Sequence, residues 1–134
     1  MKNILLVEDD LAVSYVFRRY LEAAGFRVLM ADNGRDALAL HSGHAVDAVI
    51  TDFRMPGMNG DDLLLALRAR QPGLPAMMVS AFGHELKTTI PGVRVLAKPI
   101  MGDRLVAELQ DLLLDAETVA LNRPADEGTP QLPK

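Results

Sequence analysis

A chain of 134 residues, 49% hydrophobic and 24% charged, has the size and balance of one folded domain and is too short for two ordinary ones. Its net charge of −4, with no basic cluster or aromatic-basic stripe, argues against non-specific binding to nucleic acid. The lack of cysteine excludes disulfides, thiolate metal sites and a cysteine nucleophile, and no stretch has the layout of a signal peptide or the length of a membrane span.

Residues 4–7 form an unbroken apolar run, the mark of a strand covered on both faces. Glu8, Asp9 and Asp10 follow at once. Leu11, Val13, Val16, Phe17, Tyr20, Leu21 and Ala24 then recur at helical spacing until Gly25. Residues 27–31 predict a second strand, Asp32-Asn33-Gly34 a turn, and residues 37–40 part of a second helix ending near Gly43. The apolar run 46–50 passes into Thr51 and Asp52, after which Pro56, Gly57 and Gly60 turn the chain hard. This predicts a buried strand that carries Asp52 to its C-terminal edge.

Asp61 and Asp62 open a third helix, 63–70, with acid at its start and arginine at its end as the helix dipole prefers. Gln71-Pro72-Gly73 ends it. Residues 76–79 predict a fourth strand closed by Ser80, and 82–89 a short helix ended by Pro91-Gly92. Residues 93–97 predict a fifth strand, closed by Lys98-Pro99. Leu105, Leu109, Leu112, Leu113 and Ala116 mark the apolar face of a last helix running to about Leu121. From Asn122 onward Pro, Gly, Asp, Glu and Thr dominate, so 122–134 reads as a disordered tail.

Five strands alternating with five helices predict an α/β fold, a doubly wound five-stranded parallel sheet occupying 1–121, and 2-1-3-4-5 is the order expected of it. Ligands of such sheets bind outside the C-terminal strand ends. Strand one delivers Glu8 and Asp9 there, strand three Asp52, strand four Ser80 and strand five Lys98. Three carboxylates at close range repel unless a cation lies among them, and an all-oxygen donor set favours a hard ion, Mg²⁺ or Mn²⁺. Lys98 and Ser80 add a point charge and a hydrogen bond for further oxygens. Asp52, alone at the end of the central strand, is then the candidate nucleophile, able to become an aspartyl phosphate.

Taken singly, each feature has a plainer meaning. Residues 8–10 would serve as caps of the first helix. A lone Asp after a strand is commonly solvated, and Lys-Pro is an ordinary loop dipeptide. Their joint placement at four strand ends carries the functional reading. His41, His44 and His84 share no metal-ligand spacing and read as surface residues. The methionines read as core or loop residues. Ser14, Ser42 and Ser80 lack a nucleophile-elbow context, and no Gly-Lys-Ser/Thr follows Gly57 and Gly60 to make a phosphate-binding loop.

The segments Ile4-Leu5-Leu6-Val7-Glu8-Asp9-Asp10, Asp52-Phe53-Arg54-Met55-Pro56-Gly57-Met58-Asn59-Gly60, Ser80-Ala81 and Lys98-Pro99 together resemble the signature of two-component response-regulator receiver domains of the CheY-like superfamily, in single-domain form. The resemblance covers about residues 2–121. It implies a flavodoxin-like fold and a Mg²⁺-dependent acceptor aspartate, phosphorylated by a histidine kinase or phosphotransfer protein. By position, Asp52 matches the acceptor, and Glu8 and Asp9 the metal-binding acidic pair. Arg54 would offer its backbone carbonyl to the ion. Ser80 matches the switch hydroxyl and Lys98 its lysine, with a cis Lys98–Pro99 bond. Asp10 is expected to face the first helix.

Three departures stand out. Val95 occupies the position usually held by a switch aromatic. The stretch from Ser80 to Lys98 is several residues shorter than usual, which implies a shortened fourth helix. Residues 122–134 are not expected to form a DNA-binding or catalytic output segment. Arg54 and Phe82 occupy the flanking positions that tune hydrolysis in the family. A bulky Phe82 implies slow self-dephosphorylation, which Phe82→Ala should accelerate.

The expected function is thus a phosphorelay signalling receiver acting through phosphorylation-dependent protein contact. It would not be a conventional enzyme, although it would catalyse its own phosphoryl transfer and slow autodephosphorylation. A receiver-fold binding module that works without phosphorylation is the alternative. A small-molecule phosphohydrolase with an aspartate nucleophile fits less well, because Arg54 stands where a second aspartate belongs. The expected setting is the cytoplasm, as a monomer or weak homodimer with no nucleic-acid or membrane partner, either free-standing or as the receiver of a hybrid kinase.

Overall fold

Five short apolar segments become the strands of one sheet: β1 (Asn3–Val7), β2 (Arg27–Ala31), β3 (Ala48–Asp52), β4 (Ala76–Ser80) and β5 (Val93–Ala97). The computed structural model describes residues 1–81, 88 and 90–121. All strand pairs are parallel, as the alternation of elements predicts, and the order is β2-β1-β3-β4-β5, as expected. β3 and β4 are buried along their whole length, whereas the edge strands β2 and β5 are only partly covered. Burial on both faces is why the central strands are nearly all apolar rather than alternating.

Four helices are described: α1 (Leu11–Ala23), α2 (Gly34–Gly43), α3 (Gly60–Arg70) and α4 (Gly102–Leu121). Alternate strand residues point to opposite faces, so the sheet has two cores. Ile4, Leu6, Ile50 and Met77 pack with Phe17 and Leu21 of α1 and Leu105 and Leu109 of α4. Leu5, Val7, Val49 and Met78 pack with Ala37 of α2 and Leu63, Leu64 and Leu67 of α3. Side-chain caps set three helix starts. Asp10 accepts from the Ala12 and Val13 N–H groups, Asn33 from Asp36, and Asn59 and Asp62 form a capping box at α3. Each such cap contributes about 1 kcal/mol.

Two expectations change in detail. The third strand begins at Ala48, two residues beyond the start of the apolar run. Val46 is buried ahead of the strand, while pairing of Val7 with Thr51 draws the polar end of the segment into the sheet. On α1 the buried residues are Ser14, Phe17 and Leu21, a narrower stripe than the apolar spacing predicts. Leu11 is 71% exposed, and Val16 and Tyr20 are also open to solvent. The Tyr20 ring lies so close over Gly102 that a Cβ there would fall 2.2 Å from it, which makes glycine the residue that admits this contact. The short helix expected over 82–89, including Phe82, and the tail expected over 122–134 lie outside the described residues. Among the described residues no helix is long and apolar enough to cross a membrane.

Candidate functional site

Because β1, β3, β4 and β5 run parallel, their C-terminal ends finish on one edge of the sheet. Glu8 leaves β1 with its N–H donating to the Ala31 carbonyl at 3.1 Å. Its Oε2 accepts from the Asp10 N–H at 3.0 Å. The Asp10 carboxylate is meanwhile used as the α1 cap. The acidic triplet is therefore divided: Asp10 caps the helix, as the plainer reading has it, and Glu8 and Asp9 face the sheet edge.

Asp52 is the last residue of β3 and is 9% exposed. The loop after it folds back tightly, with the Gly60 N–H donating to the Phe53 carbonyl at 2.8 Å. A Cβ on Gly60 would lie 2.7 Å from the Asp52 carbonyl oxygen and 3.0 Å from the Phe53 Cα, both backbone atoms. Glycine is required there by this close approach. The Thr51 hydroxyl also donates to the Asp52 carbonyl, at 2.9 Å. Met58 packs over Gly34 at the start of α2, so the loop is held from both ends.

Carboxylate oxygens from Glu8, Asp9 and Asp52 all lie within 4.8 Å of one another. Lys98, just after β5, reaches into the group. Its Nζ donates to Glu8 Oε1 at 3.0 Å and to Asp52 Oδ2 at 3.2 Å. The ammonium is only 23% exposed, and its two partners are more deeply covered. Burial draws charge away from both sides, and the outcome differs for each. At Glu8 burial outweighs the Asp10 N–H and Lys98, and the carboxyl is held above its ordinary range. At Lys98 burial opposes the charge, but contacts with Glu8 and Asp52 outweigh it, and the ammonium is held more firmly than usual.

The set suits a hard dication: three carboxylates converge, one stays exposed to solvent, and the donors are all oxygen. One lysine cannot neutralise three acids, so the cluster carries an excess of negative charge that a cation would offset.

Ser80 ends β4, is buried, and lies opposite Ala97 in the sheet register. Its carbonyl accepts from the Lys98 N–H at 2.8 Å, so Ser80 and Lys98 are joined through the backbone. The Lys98–Pro99 bond is cis. Arg54 lies exposed in the loop two residues beyond Asp52. Val95 is half-buried and packs against the α2–α3 core.

Of the three histidines, His84 lies outside the described residues and His41 needs a correction. His41 is no plain surface residue, since its Nε2 shares a 2.8 Å hydrogen bond with Gln71 Oε1 and so ties α2 to the end of α3. His44 is exposed and contacts the Leu40 carbonyl. Sequence reasoning also missed Asp32 and Asp36, which line a cleft of about 280 Å³ beside Glu8 with Leu11, Ser14 and Met30. Asp32 directly follows β2, so the strand-end rule that singled out the other acids applies to it too. It was read as a turn residue because Asn33 and Gly34 follow.

Comparison with known proteins places these features in a family. The response regulator receiver domain matches residues 4–110. The chain is 34% identical over 137 residues to the transcriptional regulatory protein CpxR of Escherichia coli K12, covering 98% of this chain and 58% of that protein. It thus spans little more than half the length of that relative. Among solved structures, the receiver domain of the hybrid histidine kinase CckA is 35% identical, with a TM-score of 0.73 over 83% of this chain and 98% of that one. The response regulator TrrA of Thermotoga maritima, in complex with Mg²⁺–BeF, shares the fold with a TM-score of 0.74 at 24% identity, over 84% of this chain and 99% of that one.

Proposed function

The chain belongs to the response regulator receiver domain family, and we propose that it accepts a phosphoryl group on Asp52 from a histidine kinase or phosphotransfer protein and then signals by phosphorylation-dependent protein contact. The observation that carries this reading is Lys98, whose ammonium contacts both Glu8 and Asp52 within a cluster of three carboxylates. A structural pair has no need of the third carboxylate, and a helix cap has no need of the lysine.

In the proposed step an Asp52 carboxylate oxygen forms a bond to phosphorus as the phosphorus–nitrogen bond of a phosphohistidine breaks. The electron pair of that bond stays on the ring nitrogen, and because the other ring nitrogen of the phosphohistidine carries a proton, the departing imidazole is neutral. Glu8, Asp9, Asp52 and the Arg54 carbonyl would hold Mg²⁺ or Mn²⁺, which when bound supplies neutralisation of charge on the phosphoryl oxygens. Lys98 supplies a second positive charge to those oxygens, moving from Asp52 Oδ2 to the incoming group. The Ser80 hydroxyl donates to a phosphoryl oxygen, and its movement toward that oxygen is the first step of the response. Little covalent chemistry is asked of the protein beyond positioning and charge neutralisation. The receiver unit comprises 1–121 and acts in the cytoplasm.

Val95 favours a second reading. A half-buried valine packed into the core offers no ring to swing with Ser80, which suits a module that binds its partner without phosphorylation. One experiment separates the two. The protein is incubated with Mg²⁺ and acetyl phosphate, and the adduct is mapped by mass spectrometry. One phosphoryl group on Asp52, absent in Asp52→Asn, is expected. A folded wild type that neither reacts nor binds beryllofluoride leaves the second reading standing.

A further inference from the structure

Thr88, between β4 and β5, is tied to the start of α3 at a point outside the carboxylate cluster. The Thr88 hydroxyl donates to Asp61 Oδ1 at 2.9 Å and accepts from the Ile90 N–H at 3.2 Å. Ile90 is buried in the same core as Val49, Leu63, Leu64 and Met78. Asp61 lies in the first turn of α3, next to Gly60, where a Cβ would fall 2.7 Å from the Asp52 carbonyl oxygen and whose N–H donates to the Phe53 carbonyl. A short path thus runs from Ile90 through Thr88, Asp61 and Gly60 to the backbone of Asp52.

We infer that Thr88 is a positioning residue for phosphoryl acceptance: through Asp61 it fixes the α3 end of the 53–60 loop against Asp52. This rests on Asp52 being the acceptor. The physical basis is that Asp61 and Gly60 are adjacent in a capped helix and move together. A shift at Asp61 is therefore delivered to Gly60, where the loop has no room for a side chain beside the Asp52 carbonyl. Displacements of an ångström at a reacting centre are enough to change rates many-fold. The hydroxyl serves here as both donor and acceptor, which valine cannot imitate and serine can.

The test uses the full chain with Mg²⁺ and acetyl phosphate, following the rate of adduct formation on Asp52 and thermal unfolding in parallel. Thr88→Val and Asp61→Ala are each expected to lower the rate at saturating acetyl phosphate by roughly 3- to 10-fold, the effect of one lost hydrogen bond. The half-saturating concentration should be unchanged, since neither residue contacts the phosphodonor. Thr88→Ser should restore the rate, and the double variant should be no slower than either single one. Rates within twofold of wild type in both single variants overturn the inference, whatever happens to the melting temperature. So does an additive double variant. A folded wild type that does not react overturns the acceptor role of Asp52 and this inference with it, whereas a reactive wild type with indifferent variants overturns the inference alone.

Discussion

Lys98 donates to Asp52 Oδ2 at 3.2 Å across a sequence separation of 46 residues. The contact exists because β3 and β5 end on the same edge, with β4 between them carrying the Ser80 carbonyl that receives the Lys98 N–H. The ammonium is shared with Glu8, so one cation serves two buried carboxylates.

Replacing Lys98 should therefore be costly in two ways. Lys98→Met leaves Glu8 and Asp52 without their cation, and stability in metal-free buffer should fall by about 1–3 kcal/mol in urea unfolding. Phosphorylation by acetyl phosphate should slow by roughly 100-fold, the scale of losing one preorganised charge on the transferring group. A variant as stable and as reactive as wild type would remove Lys98 from the proposed mechanism.

Asp9 should behave in the opposite sense. It is the exposed member of the cluster, so Asp9→Asn lowers repulsion while giving up little burial. Without divalent ions its melting temperature should rise by about 2–4 °C. The rise in melting temperature expected from Mg²⁺ in wild type should be lost in this variant. A fall in the metal-free melting temperature would show that Asp9 supports the fold rather than a cation.

The pH dependence of dication binding follows from Glu8. Its folded-state pKa lies above the ordinary value because burial disfavours the charged form. The cost of that burial is absent at pH values below the ordinary carboxylate pKa and fully present above the raised one, so in the metal-free protein this group gives up stability as pH rises. A cation offsets the cost only when Glu8 is ionised. The gain in melting temperature from Mg²⁺ should therefore be largest near neutral pH and shrink as pH falls through the raised Glu8 pKa. Thermal melts with and without Mg²⁺, carried from neutral pH down to the ordinary carboxylate range, measure it, and a gain that does not change across that whole span would rule Glu8 out as a ligand.

Gly60 offers a test of the loop. Gly60→Ala places a methyl group 2.7 Å from the Asp52 carbonyl, a backbone atom that cannot rotate away. Stability should fall by about 1–3 kcal/mol, the usual cost of overpacking. Beryllofluoride binding should weaken more than that loss explains, because the atom displaced belongs to Asp52, the proposed acceptor. Gly57→Ala, whose cost comes from a φ of 79° with nothing nearby to meet the new methyl, should destabilise without the added binding defect.

Much of the fold was legible because its signals are local. Apolar runs at 4–7 and 76–79, and the turns at Asp32-Asn33-Gly34 and Gln71-Pro72-Gly73, mark the ends of elements within the chain itself. The start of β3 and the buried face of α1 were less legible. Val46 is as apolar as Val49, and only pairing with β1 decides which of them enters the sheet. Leu11, Val16 and Tyr20 fit the apolar spacing of the helix but fall outside the line of Ser14, Phe17 and Leu21 that is buried, so they stay open to solvent while the small Ser14 is covered.

Sequence alone determined the alternation of strands and helices, and with it the convergence of Glu8, Asp9, Asp52, Ser80 and Lys98 on one edge. Parallel strands joined by short crossovers permit little else. Tertiary structure decided how those residues divide the work. Asp10 is spent on the cap of α1, Lys98 is shared between Glu8 and Asp52, and Thr88 reaches Asp61 across the gap between α3 and β5. These are contacts between residues from 2 to 90 positions apart. The longer ones depend on directions and distances that no local pattern encodes, because a hydrogen bond is satisfied or lost within a few tenths of an ångström.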